Sequence, residues 1–140
     1  MMKKNVIAII MKDSKILLQL RDSKKNIIFP GKWGFFGRAL NVNESHFKAI
    51  KRELFEELNI KNFKFLKFVN KYFSAKYKSF FYIYILKLNE KIILKEGYDC
   101  DVFSLNKMFH GKKSKKDGIF YQIAENNLMK NIMLLAKKFI

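Results

Sequence analysis

Cysteine, proline and acidic residues are scarce in this chain, and each shortage excludes something. The 140 residues contain one Cys and one Pro. A lone Cys100 cannot form an intramolecular disulfide and fits a reducing compartment. No repeat, Pro/Ser-rich linker or abrupt composition shift divides the sequence, so residues 1–140 read as a single domain of ordinary size. Long apolar runs are missing as well. The longest, Phe80 to Leu86, has seven residues, against the roughly 18 to 20 that a bilayer-spanning helix needs. Met1-Met2-Lys3-Lys4 before Val6 to Met11 imitates a signal peptide, but Lys12 and Asp13 end the apolar run and no small-residue cleavage site follows. The expectation is a cytoplasmic protein without a membrane partner. Hydrophobic residues at 49% and aromatics at 16% supply enough apolar surface for a core, which excludes a wholly disordered chain.

The acidic shortage leaves 29 Lys plus Arg against 12 Asp plus Glu, a net charge of +17. Only Arg21, Arg38 and Arg52 are arginines. Phosphate recognition with defined geometry favours the planar guanidinium, whereas Lys is a hydrated point charge that any solvated surface can carry. A general compositional drift toward Lys, Asn, Ile and Phe accounts for the balance more simply than selection for a polyanion. In either case the field attracts nucleotides; nucleic acid is not the favoured partner.

Val6 to Met11 and Ile16 to Leu20 flank the polar turn Lys12-Asp13-Ser14-Lys15 and read as a β-hairpin. A loop from Arg21 to Lys32 ends in Pro30-Gly31, Trp33 to Gly37 is a short apolar run, and Arg38 to Glu44 is polar loop. From Ser45 to Leu58 the spacing is helical, with Phe47, Ile50, Leu54 and Leu58 as a stripe facing a core. Phe63 to Phe73 and Ser79 to Leu88 read as a second hairpin around Ser74 to Lys78. Asp101 to Ser104 is a weaker strand, and Gln122 to Lys138 a closing helix. The order predicts an α+β fold, a mixed sheet covered by helices. Lys61, Lys64, Lys67 and Lys71 interleave with Phe63, Phe65, Phe68 and Phe73. The simplest reading is a half-buried strand with Lys on its solvent face; the alternative is a stacking platform for single-stranded nucleic acid. Lys112-Lys113-Ser114-Lys115-Lys116 reads as a solvated loop.

The chemistry lies in Arg52-Glu53-Leu54-Phe55-Glu56-Glu57-Leu58-Asn59-Ile60. On a helix, Glu53, Glu56 and Glu57 fall within one arc of about 100° beside the apolar stripe. Glu53 and Glu57 are like charges at i,i+4, which destabilises a helix by about a few tenths of a kcal/mol. The acidic cluster also sits near the negative end of the helix dipole, with Lys48, Lys51 and Arg52 earlier, the reverse of the favourable order. A positive partner is expected among these glutamates, and a hard divalent cation, Mg²⁺ or Mn²⁺, suits carboxylate and water ligands.

Reading backwards, Glu44 precedes Arg52 by seven intervening residues. The whole pattern resembles the Nudix box, G-x5-E-x7-R-E-U-x-E-E-x-G-U with U apolar, of the MutT-like branch. Glu44, Arg52, Glu53, Glu56 and Glu57 all match, and Pro30-Gly31-Lys32-Trp33-Gly34-Phe35-Phe36-Gly37 looks like the usual lead-in. The resemblance implies an α/β/α sandwich and a hydrolase of nucleoside diphosphates linked to another moiety. It implies that Glu53, Glu56 and Glu57 bind the metal, Arg52 orients them through salt bridges, and Glu44 supports the loop or the metal shell. Glu96, in Lys95-Glu96-Gly97, is implied as a fourth metal ligand or general base. Arg21, Arg38 and Phe35 are implied as substrate-binding residues. Asn126 or Asn127 would meet a base edge, and His46 and His110 read as non-catalytic. Two glycines of the pattern are replaced, by Arg38 and Asn59, and Asn43 stands where a Gly commonly precedes the Glu. Asn tolerates a left-handed backbone; Arg38 fits only if Gly37 makes the turn. The expected substrate is a nucleoside triphosphate, oxidised or intact, cleaved to the monophosphate and pyrophosphate. The alternatives are a nucleotide sugar or ADP-ribose, and a non-catalytic module that binds phosphate or RNA. Oligomeric state is left open by the sequence.

Overall fold

A computed structural model describes residues 2–22, 30–88 and 91–140. Strands β1 (Lys3–Lys12) and β2 (Lys15–Leu20) are antiparallel, closed by Asp13 and Ser14 at φ 49° and 66°. Two successive positive φ values give the turn a twist that matches its strands. The hairpin pairs only over Ile10 to Lys12. Beyond that the strands splay, and the segment after β3 (Trp33–Gly34) fills the gap. Gly34 pairs with Gln19, while the amides of Ala8, Val6 and Leu40 and the carbonyls of Phe36, Arg38 and Lys4 knit this segment to β1. The expected loop from Arg21 to Lys32 lies outside the described residues over 23–29.

Strand β5 (Ser79–Lys87) runs parallel to β1 from Lys3 opposite Ser79 to Met11 opposite Lys87. Its hairpin partner β4 (Leu66–Ser74) forms the far edge, and β6 (Asp99–Phe103) pairs with β2. The sheet is mixed, as expected, although β4 starts three residues later than the run from Phe63 predicts.

Period-two alternation sends the two faces of β1 to different cores. Val6, Ala8 and Ile10 pack with Ala49, Ile50, Leu54 and Leu58 of α1 (His46–Leu58). Ile9 and Met11 pack with Leu128, Met129 and Ile132 of α2 (Asn126–Ala136) on the other side. Two helices on opposite faces make the α/β/α sandwich. The closing helix is shorter than expected because Gln122 to Ala124 are extended. The Trp33 amide donates to the Gln122 carbonyl and the Ala124 amide to that of Trp33. Lys112 to Lys116 is not a free loop either. β7 (Lys112–Lys113) pairs with β8 (Phe120–Tyr121), Ser114 donates to Asp99 at 2.7 Å, and Lys112 and Lys115 flank the buried Asp101 at 3.1 and 3.3 Å. Among the described residues no helix is long and apolar enough to cross a membrane.

Candidate active site

Helix α1 begins and ends on side chains suited to its caps. Ser45 accepts from the Lys48 amide, and Asn59 adopts the left-handed conformation at φ 56°, ψ 31°, its amide turning back to Leu54 and Phe55. Asn43, ahead of Glu44, is left-handed as well, at φ 61°. Both asparagines therefore do the work of glycine. Gly37 makes the turn before Arg38 at φ 134°, where a Cβ would come within 1.9 Å of the Val6 carbonyl oxygen. Arg38 itself is not among the residues with positive φ.

The stripe expected on α1 is only partly correct. Ile50, Leu54 and Leu58 are buried, but Phe47 is 49% exposed. In the first turn His46 points inward instead, stacked on Tyr82 at 4.3 Å with Nδ1 2.6 Å from the Tyr84 hydroxyl. Burial holds the His46 pKa down and pushes Tyr84 up to about 12. The buried positions further along are acidic: Glu53 at 3% and Glu57 at 0% exposure.

Arg52 is the hub of the carboxylates. Its Nε and Nη2 donate to the two oxygens of Glu44 at 2.8 and 2.9 Å, and Nη1 donates to Glu53 at 2.7 Å and Glu56 at 3.3 Å. These bonds, with the Asn41 amide at 3.0 Å, hold the Glu44 carboxyl down to about 2. Arg52 is correspondingly raised, first by Glu44. Oε2 of Glu53 and both oxygens of Glu57 are buried without a hydrogen-bond partner. Burial, then the charge of Glu53, pushes Glu57 up to about 8.

A cleft of about 400 Å³ opens beside this group, lined by Gln19, Arg21, Asp22, Arg38, Lys95, Glu96 and Gly97. Arg21 is largely buried with Nε unpartnered. Burial, then Arg38, lowers its pKa, and the charges of Glu57 and Glu53 oppose that shift. Arg38 Nη2 lies 3.2 Å from Glu96 Oε2. The loop bearing Glu96 is fixed to α1 because the Lys95 amide donates to the Glu57 carbonyl at 2.7 Å. A larger depression of about 630 Å³ between β4 and the C-terminal turn has no carboxylate among its lining residues.

Sequence reasoning brought together Glu44, Arg52, Glu53, Glu56 and Glu57, and the cleft adds Arg21, Arg38 and Glu96 beside them. Phe35 stands apart: it is 7% exposed and packs in the α2-side core, so its ring does not line the cleft. Only its carbonyl takes part, accepting from Gln19 Nε2 at 3.2 Å. Neither Asn126 nor Asn127 lines the cleft. Gln19 was missed; the signal was a lone polar residue inside the apolar run of β2.

The NUDIX domain family model matches residues 1–122. The chain belongs to the Nudix family. Its sequence is 37% identical over 95 residues to the 8-oxo-dGTP diphosphatase of Buchnera aphidicola subsp. Schizaphis graminum, covering 66% of this chain and 70% of that one. In structure it resembles the MutT protein of Methanosarcina mazei Go1, with a TM-score of 0.73 at 17% identity over 98% of this chain and 94% of that one. It is also similar to the NUDIX domain of Shewanella oneidensis NrtR, solved with ADP ribose, with a TM-score of 0.72 at 17% identity over 99% and 88%. As a MutT-like Nudix enzyme the protein is a pyrophosphohydrolase, acting on a phosphoanhydride bond.

Nudix hydrolases generally use divalent metal ions. Among the described residues no three His, Cys, Asp or Glu side chains already share a coordination shell. Glu56 is turned to Arg52 and Glu96 to Arg38. The three orphaned oxygens of Glu53 and Glu57 nevertheless fit a cation, since two buried carboxylates at full charge need one.

Proposed function

We propose that this Nudix enzyme hydrolyses a nucleoside triphosphate, an oxidised purine nucleotide foremost, to the monophosphate and pyrophosphate. The carrying observation is the set of orphaned carboxylate oxygens on Glu53 and Glu57 beside a cleft holding Arg21 and Arg38. The Buchnera relative, named as an 8-oxo-dGTP diphosphatase, supports the choice of substrate. In this reading Glu53 and Glu57 hold Mg²⁺ or Mn²⁺, joined by Glu56 and Glu96. When bound, the ion supplies positive charge against which a diphosphate can be polarised.

The chain's own residues do the rest. Arg21 and Arg38 bind substrate phosphates, and the largely buried Arg21 gains a partner for its Nε. Arg52 fixes the rotamers of Glu44, Glu53 and Glu56, so the carboxylates need little reorganisation when substrate arrives. Either Glu53 or Glu96 takes the proton of the attacking water. The same reading places the enzyme in the cytoplasm, with free nucleotides as its small-molecule partner.

The test is product release from 8-oxo-dGTP, the ordinary nucleoside triphosphates, ADP-ribose and nucleotide sugars, in Mg²⁺, Mn²⁺ and EDTA. Pyrophosphate release from a triphosphate, abolished by EDTA, is expected. Turnover confined to ADP-ribose or a nucleotide sugar would replace the substrate assignment. Silence across the panel in both metals would sink the catalytic reading.

A further inference from the structure

We propose that the end of the sheet face left uncovered by α1 is a binding site for single-stranded nucleic acid. This surface is separate from the hydrolytic cleft. On β4 a half-buried strand would turn its Phe side chains inward and leave only Lys outward. Phe68 and Phe73 are instead 43% and 41% exposed, alongside the exposed Lys71.

Register explains the exposed rings. Lys4, Phe80 and Phe73 stand in one row across β1, β5 and β4; Val6, Tyr82 and Lys71 form the next, and Ala8, Tyr84 and Phe68 the third. All three rows lie on the α1 face, since Val6, Ala8 and Tyr84 belong to that core. The pairing shifts between Phe68 and Asn70, so Val69 is the extra residue of a bulge. That shift moves Lys71 and Phe73 onto the α1 face, where strict alternation would have sent Asn70 and Tyr72. The helix stops one row short: His46, its first residue, stacks on Tyr82. The row beyond is uncapped by α1. There Phe73 and Phe80 lie 5.0 Å apart at 50°, with Lys71 Nζ 4.9 Å from the Phe80 ring and Lys4 exposed at the margin.

Charge says what fits this surface. Lys71 and Lys4 stand in these rows beside the rings, and residues 58–89 contain no Asp or Glu to oppose them. Aromatic faces stack bases of any identity, and interleaved ammonium groups neutralise the phosphates between them. A single strand offers its bases to such rings, whereas a duplex keeps them stacked inside. An anionic membrane matches less well, because lipid contact favours apolar side chains on one face of an interfacial helix, and these rings lie within strands.

The test is fluorescence anisotropy of a labelled oligonucleotide of about ten nucleotides, in EDTA, against the full chain. Single strand is expected to bind more tightly than duplex of the same length. Phe73→Ala should weaken binding about fivefold or more, and Phe73→Tyr, which keeps the ring, should restore it. Lys71→Ala should reduce the slope of log affinity against log salt by about 0.7. Because Phe73 is far from full burial, its Ala variant folds, which an unchanged melting curve and unchanged nucleotide turnover would verify. Equal affinity for duplex, or full affinity in folded Phe73→Ala, would overturn the proposal. So would loss of binding to phosphatidylserine vesicles in Phe73→Ala while oligonucleotide affinity stays put, since that result assigns the surface to lipid.

Discussion

Glu57 combines full burial with a like-charged neighbour and no hydrogen-bond donor, and its proton affinity records the conflict. Its carboxyl in the folded, metal-free protein is pushed up to about 8, whereas the unfolded chain titrates near 4.3. The folded state thus prefers the protonated form. Its contribution to stability is complete below about pH 4.3 and is lost as pH rises through 8. In EDTA, the melting temperature is expected to fall between about pH 5 and 8, with Glu57→Gln flattening that fall and Mg²⁺ raising the wild-type curve most at the alkaline end. A wild-type curve as flat as that of the variant would remove the conflict from the account. The same variant should lower turnover by roughly a hundredfold or more, the scale of losing one preorganised charged group. At Arg38 the expected signature is different. Its ion pair with Glu96 is about half exposed and easily exchanged, so Arg38→Ala should raise KM several-fold for a triphosphate while kcat changes little. A fall in kcat with constant KM would place Arg38 in a transition-state role instead. The carboxylates were legible from the sequence because helical spacing alone fixes their common face. Phe35 was not, since its ring serves a core assembled from α2, distant in sequence.

Helix α1 owes both its ends to residues other than Gly and Pro. Asn59 carries the left-handed turn after the last carboxylate, so Asn59→Gly should leave stability within a few tenths of a kcal/mol. Asn59→Ala should cost about 1 to 2 kcal/mol, read as a shift in the urea midpoint. Equal midpoints would mean that the turn can be made another way. The turn at Asn59 was readable because Asn tolerates the left-handed backbone that a glycine of the pattern would otherwise supply. The inward His46 and outward Phe47 were not, because periodicity assigns a face but does not say where the helix overruns its sheet. The same limit applies to β4: a bulge changes phase by one residue, and nothing in Lys67-Phe68-Val69-Asn70-Lys71 marks where the extra residue falls.

Across the whole molecule, the net charge of +17 sits on a sandwich whose two cores are already well filled by the alternation of β1 and β5. The sheet order was legible only as hairpins; the parallel pairing of β1 with β5, between segments almost 80 residues apart, depends on long-range packing that local pattern does not encode. Self-repulsion at this charge should be relieved by screening, so the melting temperature is expected to rise as NaCl is raised from about 20 to 300 mM. A melting temperature independent of salt would mean that the lysines are already neutralised by their neighbours. The bond from the Lys95 amide to the Glu57 carbonyl has a different reach. Because only main-chain atoms form it, no particular side chain at position 95 is required, and only proline is forbidden there. Descendants of this gene can therefore vary Lys95 and its neighbours, and with them the shape and charge of the cleft mouth, without losing the anchor that keeps Glu96 beside the box. New substrates are within mutational reach while the hydrolytic apparatus stays inherited intact.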